Sequence, residues 1–169
     1  MTSTKDTLEK LLSVNNMESL REDPAYRFKV ERFPVTKDSV LEMRRLLAGN
    51  VHSLWAGTGY LEQFLSNVSC FNSSEVTLPC FAPYEVVDIH RHAQSAMQAC
   101  DTILIKYGTL DRLMLISDYL LKGQQLITHT SFRFDVGGML LNKNATFDLN
   151  KAQLKFPTCY SNWVKFTKV

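Results

Sequence analysis

The chain has 169 residues, of which 45% are hydrophobic and 21% are charged, with seven glycines and five prolines. This composition is ordinary for a globular domain and excludes collagen-like, disordered and low-complexity classes. A chain of this length buries roughly 70% of the surface that it exposes when unfolded, so its core needs no disulfide or metal. We therefore expect a single domain over residues 1–169.

Charge gives little direct information about function. Lysine and arginine number 19 against 17 acidic residues, and the net charge of +2 is too small to indicate nucleic-acid or membrane binding. The C-terminal part is more basic, because five lysines follow residue 142 and Asp148 is the one acid among them. The asymmetry is modest: an ordinary antiparallel sheet with lysines outward explains it, and it leaves one basic face available for an acidic partner or an anionic lipid surface.

The cysteines and the N-terminus predict an intracellular, cytoplasmic protein. Cys70, Cys80, Cys100 and Cys159 form no CxxC pair, which excludes a zinc ribbon or a thioredoxin-like site and favours reduced thiols. Residues 1–10 carry charges where a signal peptide needs an apolar run, and no apolar stretch approaches the roughly 18 residues that span a bilayer. No metal or cofactor is expected.

Local patterns predict short elements in the first half of the chain. Asp6 and Glu9 form a capping box that introduces a first helix, and alternation from Tyr26 to Val30 predicts a strand. Thr36 is the expected N-cap of a helix that Gly49 closes. The Gly-Thr-Gly run at 57–59 lacks the remaining glycine of a dinucleotide fingerprint, so we interpret it as a turn before another helix.

The clearest periodicity predicts a helical hairpin over about 84–122. Gly108 and Thr109 end its first helix and cap its second, which Lys122 and Gly123 close. The apolar positions of the first helix recur every three or four residues: Val86, Ile89, Ala93, Met97, Cys100, Leu104 and Tyr107. The second helix is apolar on most sides, so we expect it at the centre of the core.

From Gln125 onward the pattern is that of short strands. Apolar and polar residues alternate, Gly137 and Gly138 provide a two-residue hairpin turn, and further strands are expected at 146–149, 152–156 and 163–167. Helices followed by consecutive strands predict an α+β domain. Its N-terminal helices, the hairpin included, would pack on a C-terminal antiparallel β-meander over about 125–168.

Two weak candidates for catalysis lie near the start of the hairpin. Cys80 precedes the expected start of a helix, where the helix N-terminus would lower the pKa of its thiol, and His90 is the nearest base. His90 and His92 are two positions apart, about 200° on a helix, so on a helix they do not form a metal pair, whereas on a strand they would share a face and could form one. His90 falls on the apolar stripe and is interpreted as a structural histidine. A zinc site from these cysteines and histidines lacks paired short-range ligands.

The sequence shows no concentrated polar motif, and this favours a non-enzymatic interaction or assembly protein that binds a protein partner or forms a homo-oligomer. Its expected binding surface combines an exposed aromatic residue with sheet-edge lysines: Lys151, Lys155, Trp163, Lys165 and Lys168. Nucleic-acid binding by the same basic, aromatic face is the alternative, because lysines can neutralise phosphates while aromatics stack on bases. A Cys–His hydrolase at Cys80 is the second alternative.

Overall fold

The computed structural model describes residues 35, 37–78, 80–106, 108–129, 133–134, 139–142, 145–155, 157–160 and 163–169. The predicted capping box at Asp6 and the predicted strand from Tyr26 to Val30 lie outside these residues.

Most of the described chain forms one seven-stranded mixed sheet. Its strands are β1 Val51–Leu54, β2 Val68–Asn72, β3 Tyr84–Val86, β4 Thr102–Ile105, β5 Gln125–His129, β9 Thr158–Tyr160 and β10 Trp163–Thr167. Their order in the sheet is β3-β2-β1-β4-β5-β10-β9. The strands from β1 to β5 run parallel, and β10 runs antiparallel to both of its neighbours. A separate antiparallel sheet contains β6 Arg133–Phe134, β7 Met139–Asn142 and β8 Ala145–Asp148.

Helices cover both faces of the large sheet. Helix α1 (Lys37–Leu46) packs on one face, where Val40 and Met43 join Leu104 of β4 in one apolar cluster. Helices α2 (Ile89–Ala96) and α3 (Leu110–Ser117) pack on the other face, in a cluster with Ile103 and Ile105 of β4. Two 3-10 helices, Glu62–Phe64 and Met97–Ala99, complete the described helical elements. The architecture is therefore three-layered, with the core on both sides of the sheet.

The predicted helical hairpin on a β-meander is wrong, and the apolar run of β4 explains the error. Residues 84–106 contain β3, α2, a 3-10 helix and β4 instead of one long helix. All four residues of β4 are buried because the strand lies between two helical layers. Such a strand reads as a continuous apolar run, which a helical stripe fits equally well.

Parts of the prediction with purely local causes agree with the structure. Thr109 caps α3, its hydroxyl oxygen accepting a hydrogen bond from the Arg112 amide at 3.3 Å, although α3 ends at Ser117 rather than near Lys122. Gly49 follows α1 with a φ of 64°, the left-handed conformation expected after a helix.

Strands form in the C-terminal region, but they belong to two sheets instead of one antiparallel meander. Strand β5 pairs in parallel with β4, so it belongs to the central sheet. Phe134 lies opposite Leu140 across β6 and β7, as a hairpin requires, while the predicted turn residues Gly137 and Gly138 lie outside the described residues. The predicted strand at 152–156 is wrong, because there Leu154 forms an isolated bridge with Lys168.

Among the residues that the structure describes, no helix has the length and apolar character needed to cross a membrane.

Candidate functional site

The strand order creates a crevice at the carboxyl edge of the sheet. From β1 the chain continues outward through β2 and β3, and from β4 it continues in the opposite direction to β5. The last registered pair between β1 and β4 is Ser53 with Leu104, so the pairing of the two strands ends there. In open α/β sheets, ligands bind in the crevice at such a reversal of strand order.

The turn that follows β1 has an unusual backbone. Trp55, Gly57 and Gly59 all have positive φ, at 53°, 66° and 73°. This conformation costs a side-chain-bearing residue about 1–2 kcal/mol, and glycine adopts it freely. A Cβ on Gly59 would lie 2.8 Å from the Ala82 Cβ, whereas a Cβ on Gly57 would have no atom within 4 Å. The turn is therefore packed at Gly59 and open at Gly57.

Asn72, the last residue of β2, holds this turn from one side. Its Oδ1 accepts a hydrogen bond from the Gly57 amide at 2.8 Å, and its Nδ2 donates one to the Gly57 carbonyl oxygen at 3.1 Å. Asn72 is 6% exposed, so both bonds are shielded from water. The Gly57 amide is consequently already used within the protein.

Lys106, the residue after β4, holds the turn from the other side. Its ammonium donates to the Ala56 carbonyl oxygen at 2.8 Å and lies 2.7 Å from Glu62 Oε1. Ser53 donates to Glu62 Oε2 at 3.2 Å. The side chains of Lys106 and Glu62 are 0% and 1% exposed. A buried ion pair therefore connects β4 to the turn and to the 3-10 helix that follows it.

An aromatic residue and a cation lie at the rim of the crevice. The Arg112 guanidinium, in the first half of α3, is 4.5 Å from the centre of the Trp55 ring. This cation–π contact joins the turn after β1 to the helix after β4.

Two histidines form a separate pair between β1 and α2. His52 Nδ1 and His92 Nε2 are 3.1 Å apart, and the His92 ring packs on Phe71 with 4.0 Å between ring centres. Burial, followed by the nearby His92, lowers the pKa of His52 below its ordinary value, and burial lowers the pKa of His92. Glu85 acts in the opposite direction on both pKa values. Both rings are therefore predominantly neutral near pH 7.

The predicted Cys80–His90 site is not assembled. Strand β3, not a helix, begins just after Cys80, and burial raises the pKa of this thiol instead of lowering it. His90 is exposed, and either of its ring nitrogens is within 3.1 Å of the Tyr119 hydroxyl. The prediction that His90 lies on the buried stripe is wrong, because α2 begins at Ile89 and turns His92 inward.

A zinc site built from Cys70, Cys80, Cys100 and the two histidines was not expected, because these residues lack paired short-range ligands. Within the part of the chain that the structure describes, no cluster of three or more His, Cys, Asp or Glu side chains could hold a metal ion.

The five residues predicted to form a partner-binding surface differ in exposure. Trp163 is 2% exposed and packs edge-on against His129, so it is not the exposed aromatic that was expected. The Lys168 ammonium donates to the carbonyl oxygens of Ser117 and Ala152, at 3.0 and 2.8 Å. Lys151 and Lys155 are exposed, and Lys165 is half-buried on β10. Binding of a protein partner or formation of a homo-oligomer stays a prediction.

Sequence reasoning did not select Glu62, Asn72 or Lys106 as site residues. The available signal was weak: a charged residue directly after an apolar run at 102–105, and a glycine-containing turn after Leu54. Neither observation identifies the partner strand, so the sequence alone does not show that these residues meet.

Comparisons with known proteins find no matching family model and no matching curated protein. Solved structures do match. One is the MycE methyltransferase of mycinamycin biosynthesis, with Mg and SAH, at 9% identity and a TM-score of 0.47, covering 98% of this chain and 54% of that chain. Another is a putative protein-L-isoaspartate O-methyltransferase from Plasmodium falciparum with S-adenosyl-L-homocysteine, at 12% identity and a TM-score of 0.39. That match covers 85% of this chain and 93% of the other.

The chain thus spans about half the length of MycE. The prediction of a non-enzymatic structural or interaction protein is wrong. The sequence showed no concentrated polar site, whereas the structure has a doubly wound sheet with a crevice at its reversal point and a buried Lys106–Glu62 ion pair beside it.

Proposed function

We propose that the crevice binds the adenosyl cofactor S-adenosylmethionine and that the chain is a methyltransferase. The observation that carries the proposal is a doubly wound sheet with a glycine turn at the reversal of strand order. The Gly57 amide of this turn already donates to Asn72 and is not available to a phosphate.

Strand order first narrows the ligand to a nucleotide-like molecule. The order 3-2-1-4-5 of the parallel strands is the one on which dinucleotides bind, across the point between β1 and β4. In those proteins a glycine-rich turn and the N-terminus of the next helix together hold the pyrophosphate.

The turn at 55–59 lacks both means of holding a phosphate. The Gly57 amide donates to Asn72, and the element that follows is a three-residue 3-10 helix without the dipole of a full helix. S-adenosylmethionine has an adenosyl group and no phosphate, so it requires neither feature. The structure therefore favours it over a dinucleotide or ATP.

The residues present fit such a group. The open side of Gly57 leaves space over the turn, and Trp55 supplies an aromatic surface at the rim. Glu62 neutralises Lys106, so this pair adds no net charge that would repel a sulfonium cation. When bound, the sulfonium supplies an activated methyl group.

The test is direct binding by calorimetry, with S-adenosylhomocysteine as the probe and NAD and ATP as comparison ligands. We expect saturable binding of S-adenosylhomocysteine and none of the phosphate-containing ligands. Binding of NAD or ATP without S-adenosylhomocysteine would overturn the proposal.

A matched pair of glycine variants localises the site. Gly57 and Gly123 both have positive φ, and a Cβ on either has no atom within 4 Å. Gly57→Ala and Gly123→Ala therefore introduce similar backbone strain of about 1–2 kcal/mol. We expect Gly57→Ala to weaken binding at least tenfold and Gly123→Ala to leave affinity within twofold. Equal effects on affinity would place the ligand elsewhere.

A further inference from the structure

The buried Lys106–Glu62 ion pair and its contacts join five segments of the chain around the proposed ligand site. Lys106 follows β4, Ala56 lies in the turn, and Glu62 belongs to the 3-10 helix. Ser53 of β1 donates to the Glu62 carboxylate, and the Cys70 thiol of β2 lies 3.9 Å from the same oxygen. The pair is therefore placed where the two halves of the sheet separate.

Stability alone does not account for this arrangement. Removing two charges from water costs several kcal/mol per ion, and replacing a buried pair by uncharged residues of similar volume is often neutral or stabilising. What Lys106 supplies that an apolar residue cannot is a donor to the Ala56 carbonyl oxygen. That bond fixes the chain directly before Gly57, and Asn72 fixes Gly57 itself.

We infer that Lys106 is a positioning residue that, with Glu62 as its counter-ion, holds the 55–59 turn in its ligand-binding conformation. The inference rests on the proposed function for its ligand and on the geometry of the turn for its mechanism. Lys106 does not touch the reacting atoms and acts through the Ala56 carbonyl group.

The test uses the double variant Lys106→Met/Glu62→Gln, which removes both charges together and leaves neither unpaired. We expect its melting temperature to fall only modestly, because no charge is left unpaired and the lost interaction is the one donor to the buried Ala56 carbonyl oxygen. We expect its affinity for S-adenosylhomocysteine to fall at least tenfold. In the ligand-free protein, hydrogen exchange at the Gly57 and Gly59 amides should become at least tenfold faster, with the Ile127 amide of β5 unchanged.

Lys168→Met is the matched control. Lys168 is also a lysine whose ammonium donates to backbone carbonyl groups, those of Ser117 and Ala152, outside the crevice. We expect this variant to lose stability while its affinity stays within twofold of the wild type. A melting temperature that falls equally in both variants, with equal affinity losses, would show a general structural role and overturn the inference.

The two proposals fail in different ways. If the wild type binds S-adenosylhomocysteine and the double variant binds it within twofold as tightly, the inference is overturned and the proposed function stands. If the wild type does not bind it, the proposed function is overturned, and exchange at Gly57 and Gly59 decides whether Lys106 holds the turn.

A milder variant covers the case in which the double variant does not fold. Glu62→Asp keeps the charge but shortens the side chain by one methylene, so it cannot reach both Ser53 and Lys106 as Glu62 does. We expect intermediate exchange rates at Gly57 and Gly59. Rates equal to those of the wild type would overturn the inference.

Discussion

The β1–β2 and β4–β5 connections, which flank the crevice, are held in place by different kinds of interaction. Between β1 and β2 the chain forms a left-handed turn and a three-residue 3-10 helix, fixed by Lys106, Glu62 and Asn72. Between β4 and β5 it forms helix α3, fixed by the apolar residues Leu110, Leu113 and Ile116. Both connections border the same crevice.

The difference shows what each kind of interaction can specify. Apolar packing is non-directional, so it suits a regular helix whose backbone groups already bond one another. An irregular turn has amides and carbonyl groups without regular partners, and buried polar groups must be bonded. Directional side-chain bonds therefore fix the turn, and we expect the two connections to respond differently to substitution.

The largest effect is expected on the polar side, from Lys106→Met alone. This change leaves the Glu62 carboxylate buried without its counter-ion, which costs about 3–5 kcal/mol. The free energy of unfolding from urea denaturation measures it. The double variant Lys106→Met/Glu62→Gln should recover most of the loss, and a single variant as stable as the double would contradict the comparison.

On the apolar side, Leu113→Ala should cost about 2–5 kcal/mol, since Leu113 is fully buried in α3. We expect binding of S-adenosylhomocysteine by the folded protein to remain within about threefold of the wild type. Met114→Ala, on the same helix but 47% exposed, is the control and should change stability little. A tenfold loss of affinity in Leu113→Ala would show that the two connections are not separable.

Thr109→Ala removes the N-cap of α3 and should cost about 1 kcal/mol. Thr109→Ser keeps an oxygen that can accept from the Arg112 amide and should retain most of the stability. Urea denaturation of the three proteins is the measurement, and equal stability of the Ala and Ser variants would refute the cap.

The smallest effect is expected away from both connections, at the His52–His92 pair. Both pKa values are lowered in the folded protein, so below the ordinary histidine value of about 6.5 the unfolded chain binds more protons. The stability contributed by this pair is therefore present above pH 6.5 and lost as the pH falls toward the lower folded values.

Unfolding midpoints between pH 7.5 and 5.5 measure this loss. The double variant His52→Gln/His92→Gln should make the profile less steep, and the slope that remains includes His129, whose pKa burial also lowers. A profile unchanged by the double variant would refute the assignment.

Helix-capping rules, which use only residues close in sequence, predicted the two features of helix ends correctly. The cap at Thr109 and the left-handed Gly49 follow from chain chemistry within a few residues. The β4 run was interpreted as helix because periodicity does not distinguish a short buried strand from a helical segment. What makes β4 a strand is its pairing with β1, 51 residues earlier in the registered pair Val51–Thr102, and no local pattern records that pairing.

The site was harder to predict than the fold for the same reason. Lys106, Glu62 and Asn72 come from three separate segments and meet only after the sheet has formed. In sequence each is an ordinary polar residue beside apolar ones. Gly57 was recognised as a turn residue. That its amide donates to Asn72 could not be inferred without the strand order.

The distribution of thiols has a practical consequence. Cys70, Cys80 and Cys100 are buried, and burial raises the pKa of Cys100 to about 11, whereas Cys159 is exposed on β9. A maleimide dye should therefore react first at Cys159. Four strand spacings, roughly 19 Å, separate β9 from β1. The chain thus carries its own attachment point for a fluorophore or a surface tether, at a distance from the crevice that leaves ligand titrations undisturbed.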